Sequence, residues 1–427
     1  MSTQAADAAM PAGSAPAREV SLPRSYLWRL LLFICFATLF EGYDLLIINL
    51  ALPSLGQEFG ASSRTLGLAV GTINVGTIAA FWLVRLADVH GRRPVFLLAA
   101  GGYTLFTVLT IASRGLVDFI AYQFVARMFM VTEIGVGAII LTEELPARYR
   151  GAGVTLMFTL SLLGGVGASA IFPWAIDTSL GWRALYLCGG VLFPVLLACG
   201  RGLRETERWR LGQSSSKGTR PASWWRDVAV LWEPPYRRRL VAGAAIWFAV
   251  NAWSSSCLFF FAYYVAHERG WAPAEVSGTL TTGYLLAVFG YATAGPMLDF
   301  AGRRVTASLY FTIGGAAALT CFLAESAAVI TVAYVVVLGM HALWPIAATI
   351  TSEIFPTHLR GLANGVVNNL LGRTGIVIAP ALVGTLSTWL GSVGEAVALM
   401  AGVAFLCVPA VLFLISETSG QTLEEIS

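Results

Sequence analysis

Residues Glu143-Glu144-Leu145-Pro146-Ala147-Arg148-Tyr149-Arg150-Gly151 return 210 positions later as Glu353-Ile354-Phe355-Pro356-Thr357-His358-Leu359-Arg360-Gly361, sharing the pattern ExxPxxxRG. Two further pairs keep nearly that spacing. Asp88-Val89-His90-Gly91-Arg92-Arg93 matches Asp299-Phe300-Ala301-Gly302-Arg303-Arg304 at an offset of 211, and Glu205-Thr206 matches Glu417-Thr418 at 212. Three motifs repeated in one order at one offset mark a duplicated unit about half the chain long.

Long apolar stretches separate the motifs. A membrane-spanning helix needs ~20 apolar residues at ~1.5 Å rise each. Twelve stretches approach that length, with cores beginning near Trp28, Leu66, Pro94, Val117, Ala152, Ala184, Leu240, Ser277, Val305, Ala327, Leu362 and Val397. The 427 residues are 57% hydrophobic and only 12% charged, whereas soluble domains carry about 25% charged residues. The expected fold is therefore an all-α membrane protein, with twelve transmembrane helices in two pseudo-symmetric six-helix bundles. The helices from Leu66, Ala152, Ser277 and Leu362 are rich in Gly, Ala, Ser and Thr, residues that let backbones approach closely in lipid, so they are expected inside the bundle.

The domain plan follows from the polar stretches. Residues 1–24 lack a signal-peptide apolar core and read as a disordered cytoplasmic tail. Bundles are expected over 25–202 and 239–416, joined by a cytoplasmic linker over 203–238, with a short tail over 417–427. With the N-terminus inside, 21 basic residues fall in cytoplasmic segments and four in external loops, Arg64, Arg114, Arg183 and Arg269. That bias places both termini in the cytoplasm of a multi-pass protein of the cell inner (plasma) membrane. Within the linker, Trp224, Trp225 and Trp232 beside Arg226 suit an anionic membrane surface.

Several function classes are excluded. There is no GxxxxGK[ST] phosphate loop and no HExxH, GxSxG or metal-ligand cluster, so neither enzymatic activity nor a bound metal is expected. The six cysteines lie in apolar stretches without CxxC spacing, which indicates no disulfide framework. The basic linker is too small for nucleic-acid binding. A small-molecule substrate, protons and the lipid bilayer are the expected partners of a monomer that needs no cofactor beyond a proton gradient.

The Asp-x-x-Gly-Arg-Arg loops resemble the GxxxDRxGRR loop of the major facilitator superfamily, with Val84 and Val89 departing from it in the first copy and Phe300 in the second, which keeps Gly295. The resemblance runs from the first helix to the last. Glu41-Gly42-Tyr43-Asp44, followed by Ala51-Leu52-Pro53, looks like the DGxD region of the aromatic acid:proton symporters, and the deep arginine of the eleventh helix, Arg373, looks like that group and its organic-anion-carrying relatives. Glu205-Thr206-Glu207-Arg208-Trp209 resembles helix-end motifs of sugar porters and organic ion carriers. The resemblance implies proton-coupled symport of a small organic anion, a carboxylate and aromatic in the nearest branch, by alternating access. An exporter of drugs, neutral metabolites or sugars on the same fold, and a transporter-like sensor that does not translocate, remain alternatives.

Physically, an Asp near a helix end and an Arg pair beyond a Gly turn suit a charge-assisted latch between the bundles. Asp88, Arg92, Arg93, Asp299, Arg303 and Arg304 are expected to form it, with Glu143, Arg150, Glu353 and Arg360. Topogenic charge alone explains the arginines but not the repeated spacing.

An ionisable residue at mid-membrane costs at least ~2.5 kcal/mol on insertion scales, so each needs a reason. Glu41 and Asp44 stand one turn apart on the first helix and suit proton binding. Arg127 lies ~15 Å into the fourth helix, which the resemblance places beside the first, so a pair with Asp44 or Glu41 that breaks on protonation is the expected coupling element. Glu133, turned ~120° from Arg127, is a second proton site or a structural partner. His341 is a proton relay or a hydrogen-bonded structural residue. Arg373 cannot be neutralised at useful pH and binds carboxylates in bidentate fashion, so it is expected to select an anionic substrate, with Asn369 one turn away on the same face as a hydrogen-bond donor. A structural arginine is the alternative. Trp253 and Trp344, beside Asn251, Ser254, Ser255, Ser256 and Pro345, are the expected pair for stacking on a planar substrate.

Overall fold

The computed structural model describes residues 23–190, 200, 202–207, 209–210, 228–356, 359–415 and 417. Trp224, Trp225 and Arg226 of the expected linker, Cys199, Arg208, His358, Thr418 and the expected tails, save Pro23, Arg24 and Glu417, lie outside the described residues.

Among the described residues, every element is a helix. The first half contains α1 (Arg24–Glu58), α2 (Ser63–His90), α3 (Arg92–Leu109), α4 (Leu116–Glu144), α5 (Ala147–Asp177) and α6 (Trp182–Gly190). The second contains α7 (Pro234–His267), α8 (Pro273–Ala301), α9 (Arg303–Leu323), α10 in two pieces (Ala327–Met340, Leu343–Glu353), α11 in three (Arg360–Asn364, Gly365–Gly372, Thr374–Leu390) and α12 in two (Val393–Ala401, Val403–Leu414). Each expected helix core falls in one of these twelve elements. Ten are long and apolar enough to cross a membrane. α7 starts at Pro234, inside the stretch assigned to the linker, because the paired prolines at its first turn need no backbone donor there.

The three duplicated motifs converge in space, once in each half. In the first half, Arg92 donates from Nε and Nη2 to Glu143 Oε1 at 3.2 and 3.0 Å, and from Nη1 to the Ala87 carbonyl at 2.8 Å. Glu205 accepts from the peptide N–H of Arg92 at 2.8 Å and of Arg93 at 3.2 Å, so its carboxylate sits on the positive end of α3. Thr206 Oγ1 donates to the other oxygen of Glu143 at 2.6 Å. In the second half, Arg303 meets both oxygens of Glu353 at 2.9 and 2.8 Å and the Leu298 carbonyl at 3.0 Å, while Glu417 accepts from the peptide N–H of Arg303 at 2.8 Å and of Arg304 at 3.1 Å. Asp88 and Asp299 flank the arginines one turn back, at 3.1 and 3.5 Å.

Arg92 and Arg303 thus close clasps within their own halves, a role that the expected latch between bundles did not include. The reason is local: each guanidinium sits at the start of a helix packed beside the end of the helix bearing the glutamate, so that Arg303 meets both oxygens of Glu353 and Arg92 directs two donors at one oxygen of Glu143. Of the remaining expected members, Arg150 donates to the Leu145 carbonyl at 3.0 Å and Arg304 to the Leu412 carbonyl, also inside their own halves. Arg360 opens the first piece of α11.

A fourth repeat, unmarked by any conspicuous string, lies at the other end of the molecule. Glu58 ends α1 and holds the start of α6, accepting from Trp182 Nε1 at 2.7 Å and from Arg183 at 2.9 and 2.7 Å. Glu268, 210 positions on, holds the start of α12 through Ser392 Oγ at 2.8 Å and the peptide N–H groups of Val393 and Gly394.

The small-residue helices α2, α5, α8 and α11 pair across the two halves, α2 with α11 and α5 with α8. A Cβ added to Gly67 would lie 2.4 Å from the Pro380 carbonyl oxygen, and one at Gly384 would lie 2.6 Å from that of Ser63. Toward the end opposite the clasps, Ser387 donates to Ser63 at 2.8 Å, Ser277 to the Ser169 carbonyl at 2.6 Å, and the Ala262 N–H to Asn49 Oδ1 at 3.2 Å. Hydroxyls and bare backbone, with no ion pair among these contacts, hold the halves together there.

Two outcomes check this arrangement. Gly91 has φ of +105°, and a Cβ there would sit 2.2 Å from Glu205 Oε2, whereas Gly60 has φ of +61° with nothing near. Gly91→Ala should lower the melting temperature in detergent, by ~1–3 kcal/mol of strain plus the displaced carboxylate, and by more than Gly60→Ala; equal effects would contradict the clasp. Ser63→Cys combined with Ser387→Cys, with the native cysteines replaced by serine, should form a disulfide on mild oxidation, read as fragments held together after cleavage between the halves.

Candidate functional site

The intramembrane charges lie where the halves face one another. In α1, the crossing with α5 sets the geometry: a Cβ on Gly42 would lie 1.8 Å from the Ser161 carbonyl oxygen, and one on Gly164 would lie 1.8 Å from that of Leu39. Only two bare backbones fit this contact. It brings Ser161 Oγ within 2.8 Å of Glu41 Oε2, to which it donates. One turn on, Asp44 turns toward α3 and accepts from Thr107 Oγ1 at 3.4 Å. Both carboxylates are buried.

Arg127 of α4 is 2% exposed, and its Nε and Nη2 have no hydrogen-bond partner. It makes no ion pair with Asp44 or Glu41, although both lie within its electrostatic reach. The expected contact is therefore a longer-range interaction in this state. Glu133, 3% exposed, has neither oxygen hydrogen-bonded. Tyr103 of α3 stands among all four charged groups, its hydroxyl donating to the Phe40 carbonyl at 2.9 Å.

The second half contributes from α11. The segment Gly365–Gly372 is a π-helix, and it closes with the Arg373 N–H on the Asn368 carbonyl at 3.0 Å, five residues back. Such a wide turn costs regular hydrogen bonding and occurs mostly at functional sites. Arg373 Nε donates to Asn369 Oδ1 at 3.1 Å, so the two residues share one face and the amide, expected as a donor, accepts here. Among the described residues no carboxylate forms an ion pair with Arg373. Glu41 and Arg127 of the opposite half are the charges within its reach.

His341 sits at the break in α10, where Pro345 cannot donate to its carbonyl and the Trp344 N–H does so at 3.0 Å. Its Nδ1 lies 2.8 Å from the Val337 carbonyl. A carbonyl only accepts, so Nδ1 carries the hydrogen and Nε2 is left as a buried acceptor without a partner. The ring lies 4.9 Å from that of Trp253.

Trp253 and Trp344, the pair expected to stack on a planar substrate, contact different neighbours. Trp253 is fully buried, donating from Nε1 to the Gly314 carbonyl at 3.3 Å, whereas Trp344 packs edge-on against Trp247 with ring centroids 5.6 Å apart. The 3.6-residue period of each helix turns them to different neighbours. Asn251, Ser254, Ser255 and Ser256 are buried as well, and Asn251 donates to the Trp247 carbonyl one turn back at 2.8 Å. Ser161, Thr107 and Tyr103 are the members that sequence reasoning passed over. Hydroxyl residues are too common in such helices to single out, and only the Gly42 and Gly164 spacing offered a signal.

Among the described residues no cluster of His, Cys, Asp and Glu suits a metal ion. What the geometry offers is one buried guanidinium, Arg127, one half-buried, Arg373, and three buried carboxylates, without an ion pair among them.

Known proteins share this build. A cis,cis-muconate transport protein of Acinetobacter baylyi is 27% identical over 409 residues, covering 90% of this chain and 93% of that one. A gentisate transporter of Corynebacterium glutamicum is 23% identical over 381 residues, 83% and 80% of the two chains. The crystal structure of a D-xylose-proton symporter superposes with a TM-score of 0.77 at 17% identity, over 93% of this chain and all of that one, a likeness of fold. The model of the Major Facilitator Superfamily matches residues 34–256 and 245–426. With that match spanning both halves of the duplicated architecture, the chain belongs to the Major Facilitator Superfamily and is a multi-pass membrane transporter of small molecules, not an enzyme.

Proposed function

We propose that the protein is a symporter that carries a small organic carboxylate together with protons across the plasma membrane by alternating access, as a monomer and with no cofactor beyond the proton gradient. The observation that carries this reading is Arg373, a guanidinium inside the membrane with Asn369 as its hydrogen-bond partner and no ion-paired carboxylate. A permanent cation in that setting needs an anion, and a cargo carboxylate supplies one in fork geometry. Asn369 fixes the guanidinium plane. Glu41 and Asp44, facing Arg373 and Arg127, are the groups that exchange protons. The muconate and gentisate carriers among its relatives transport organic acids, which supports the same cargo class here.

The arginine bias of the loops supports a cytoplasmic position for the clasp end. The hydroxyl and glycine contacts at the opposite end then close the outer side, and the described arrangement is the state closed to the outside. In the transport cycle those contacts part, while the clasps keep each half intact.

Uptake of labelled cis,cis-muconate and 3,4-dihydroxybenzoate into proteoliposomes tests the reading. Accumulation should require an alkaline interior. Arg373→Ala should raise the half-saturating concentration by about 10- to 100-fold, the equivalent of one charge-assisted hydrogen-bond pair, and Arg373→Lys should not restore it. Transport of neutral solutes at full rate by Arg373→Ala, with no organic acid carried by the wild type, would overturn the assignment.

A further inference from the structure

Proline interrupts α5 near the end opposite the clasps. A helical carbonyl accepts from the N–H four residues on, and Pro173 has none to give to Ser169. Ser169 is fully buried, and its carbonyl takes a donor from the other half of the molecule: Ser277 of α8 donates from Oγ at 2.6 Å. One turn further along α8, Thr281 reaches the same residue. Ser169 Oγ donates to the Val166 carbonyl of its own helix at 2.9 Å, which leaves the Thr281 hydroxyl as the donor in the 2.8 Å contact between the two side chains. Two hydroxyls one turn apart on α8 thus close on a single residue of α5. Beneath them, on the clasp side, the ring of Tyr284 covers Gly165, where an added Cβ would lie 2.8 Å from it.

The crossing of α2 with α11 is built differently. A Cβ on Gly67 would fall 2.4 Å from the Pro380 carbonyl oxygen and one on Gly71 would fall 2.7 Å from that of Val377, so the backbones touch. Ser387 donates there to a side chain, Ser63 Oγ, which can turn to another partner. A backbone carbonyl fixed in a helix cannot. We propose that Ser277 and Thr281 are the bolt of the end opposite the clasps, holding the halves shut by answering the carbonyl that Pro173 leaves open in α5. This rests on the alternating-access reading above. With that end closed, the carbonyl is paired and dry. When α5 and α8 part, it loses a partner that Pro173 cannot replace, and the end stays open only once water has taken the place of the serine. Opening and wetting of this seam are therefore one step, and the proline, by weakening its own helix, strengthens the contact between the halves.

The test follows the distance across this seam in the full chain, in lipid nanodiscs and with the native cysteines replaced by serine. Spin labels on Ser179→Cys, in the loop after α5, and Ala274→Cys, in the first turn of α8, both exposed positions, report it by double electron–electron resonance. Ser277→Ala should move the ratio of the long to the short distance about tenfold toward the long one, the loss of a buried carbonyl's partner. Thr281→Val should move it the same way by less, and Ser277→Thr, which keeps the hydroxyl, should leave it near that of the wild type. Pro173→Ala gives Ser169 a donor within its own helix, so Ser277→Ala made in that background should move the ratio by no more than about twofold. A tenfold shift from Ser277→Ala in both backgrounds, or none in either, overturns the proposal, while two distances in the wild type leave alternating access standing. One unchanging distance in every variant, at every pH and with added 3,4-dihydroxybenzoate, overturns alternating access and the bolt together.

Discussion

A charge inside a bilayer must be answered by another charge or by a proton, because no water is there to answer it. This constraint orders the rest of the molecule. The five ionisable groups on α1, α4 and α11, four of them buried and Arg373 half-buried, can stay near one another only if their helices stand at fixed distances. Those distances are set by backbone contact at glycine. Gly164 against Leu39 sets the spacing of α5 and α1, and Gly375 against Phe248 sets that of α11 and α7, a Cβ at Gly375 falling 2.4 Å from the facing carbonyl oxygen.

These two crossings are the same contact made twice, at offsets of 211 and 209, and the duplication makes the differences informative. At the repeat offset of 210, Glu41 corresponds to Asn251 and Asp44 to Ser254. The scaffold is symmetric and the chemistry is not. One half retains carboxylates on its first helix, while the other has neutral groups there and places its single cation, Arg373, on a helix whose counterpart is uncharged at that level. The two facing sides therefore differ, with carboxylates on one and a guanidinium on the other.

Much of this was legible in the sequence. The twelve helices, the duplication and the partnership of Asn369 with Arg373 follow from apolar length, repeat offset and helical spacing. What the sequence left open was direction. Arg92 and Arg303 were readable as charges near helix ends, but whether they reach across the molecule or within one half depends on which helix end packs beside them, a three-dimensional fact. Trp253 and Trp344 were separated for the same reason, since residues on different helices share a site only if both faces turn inward. Glu58 and Glu268 were visible as a pair at 210, yet a lone glutamate in a short loop is unremarkable until its partners on α6 and α12 are seen.

Glu58 and Glu268 fasten the end of the first helix of each half to the start of the last, and Glu205 and Glu417 fasten the far end of that last helix to the start of the third. Each six-helix unit is thus a ring, tied shut at both membrane surfaces by its own carboxylates. None of these ties passes through the covalent connection between the units. That connection delivers two rings to the same membrane in equal number, and their stiffness is their own. The seam between them is made of serine hydroxyls and glycine backbone.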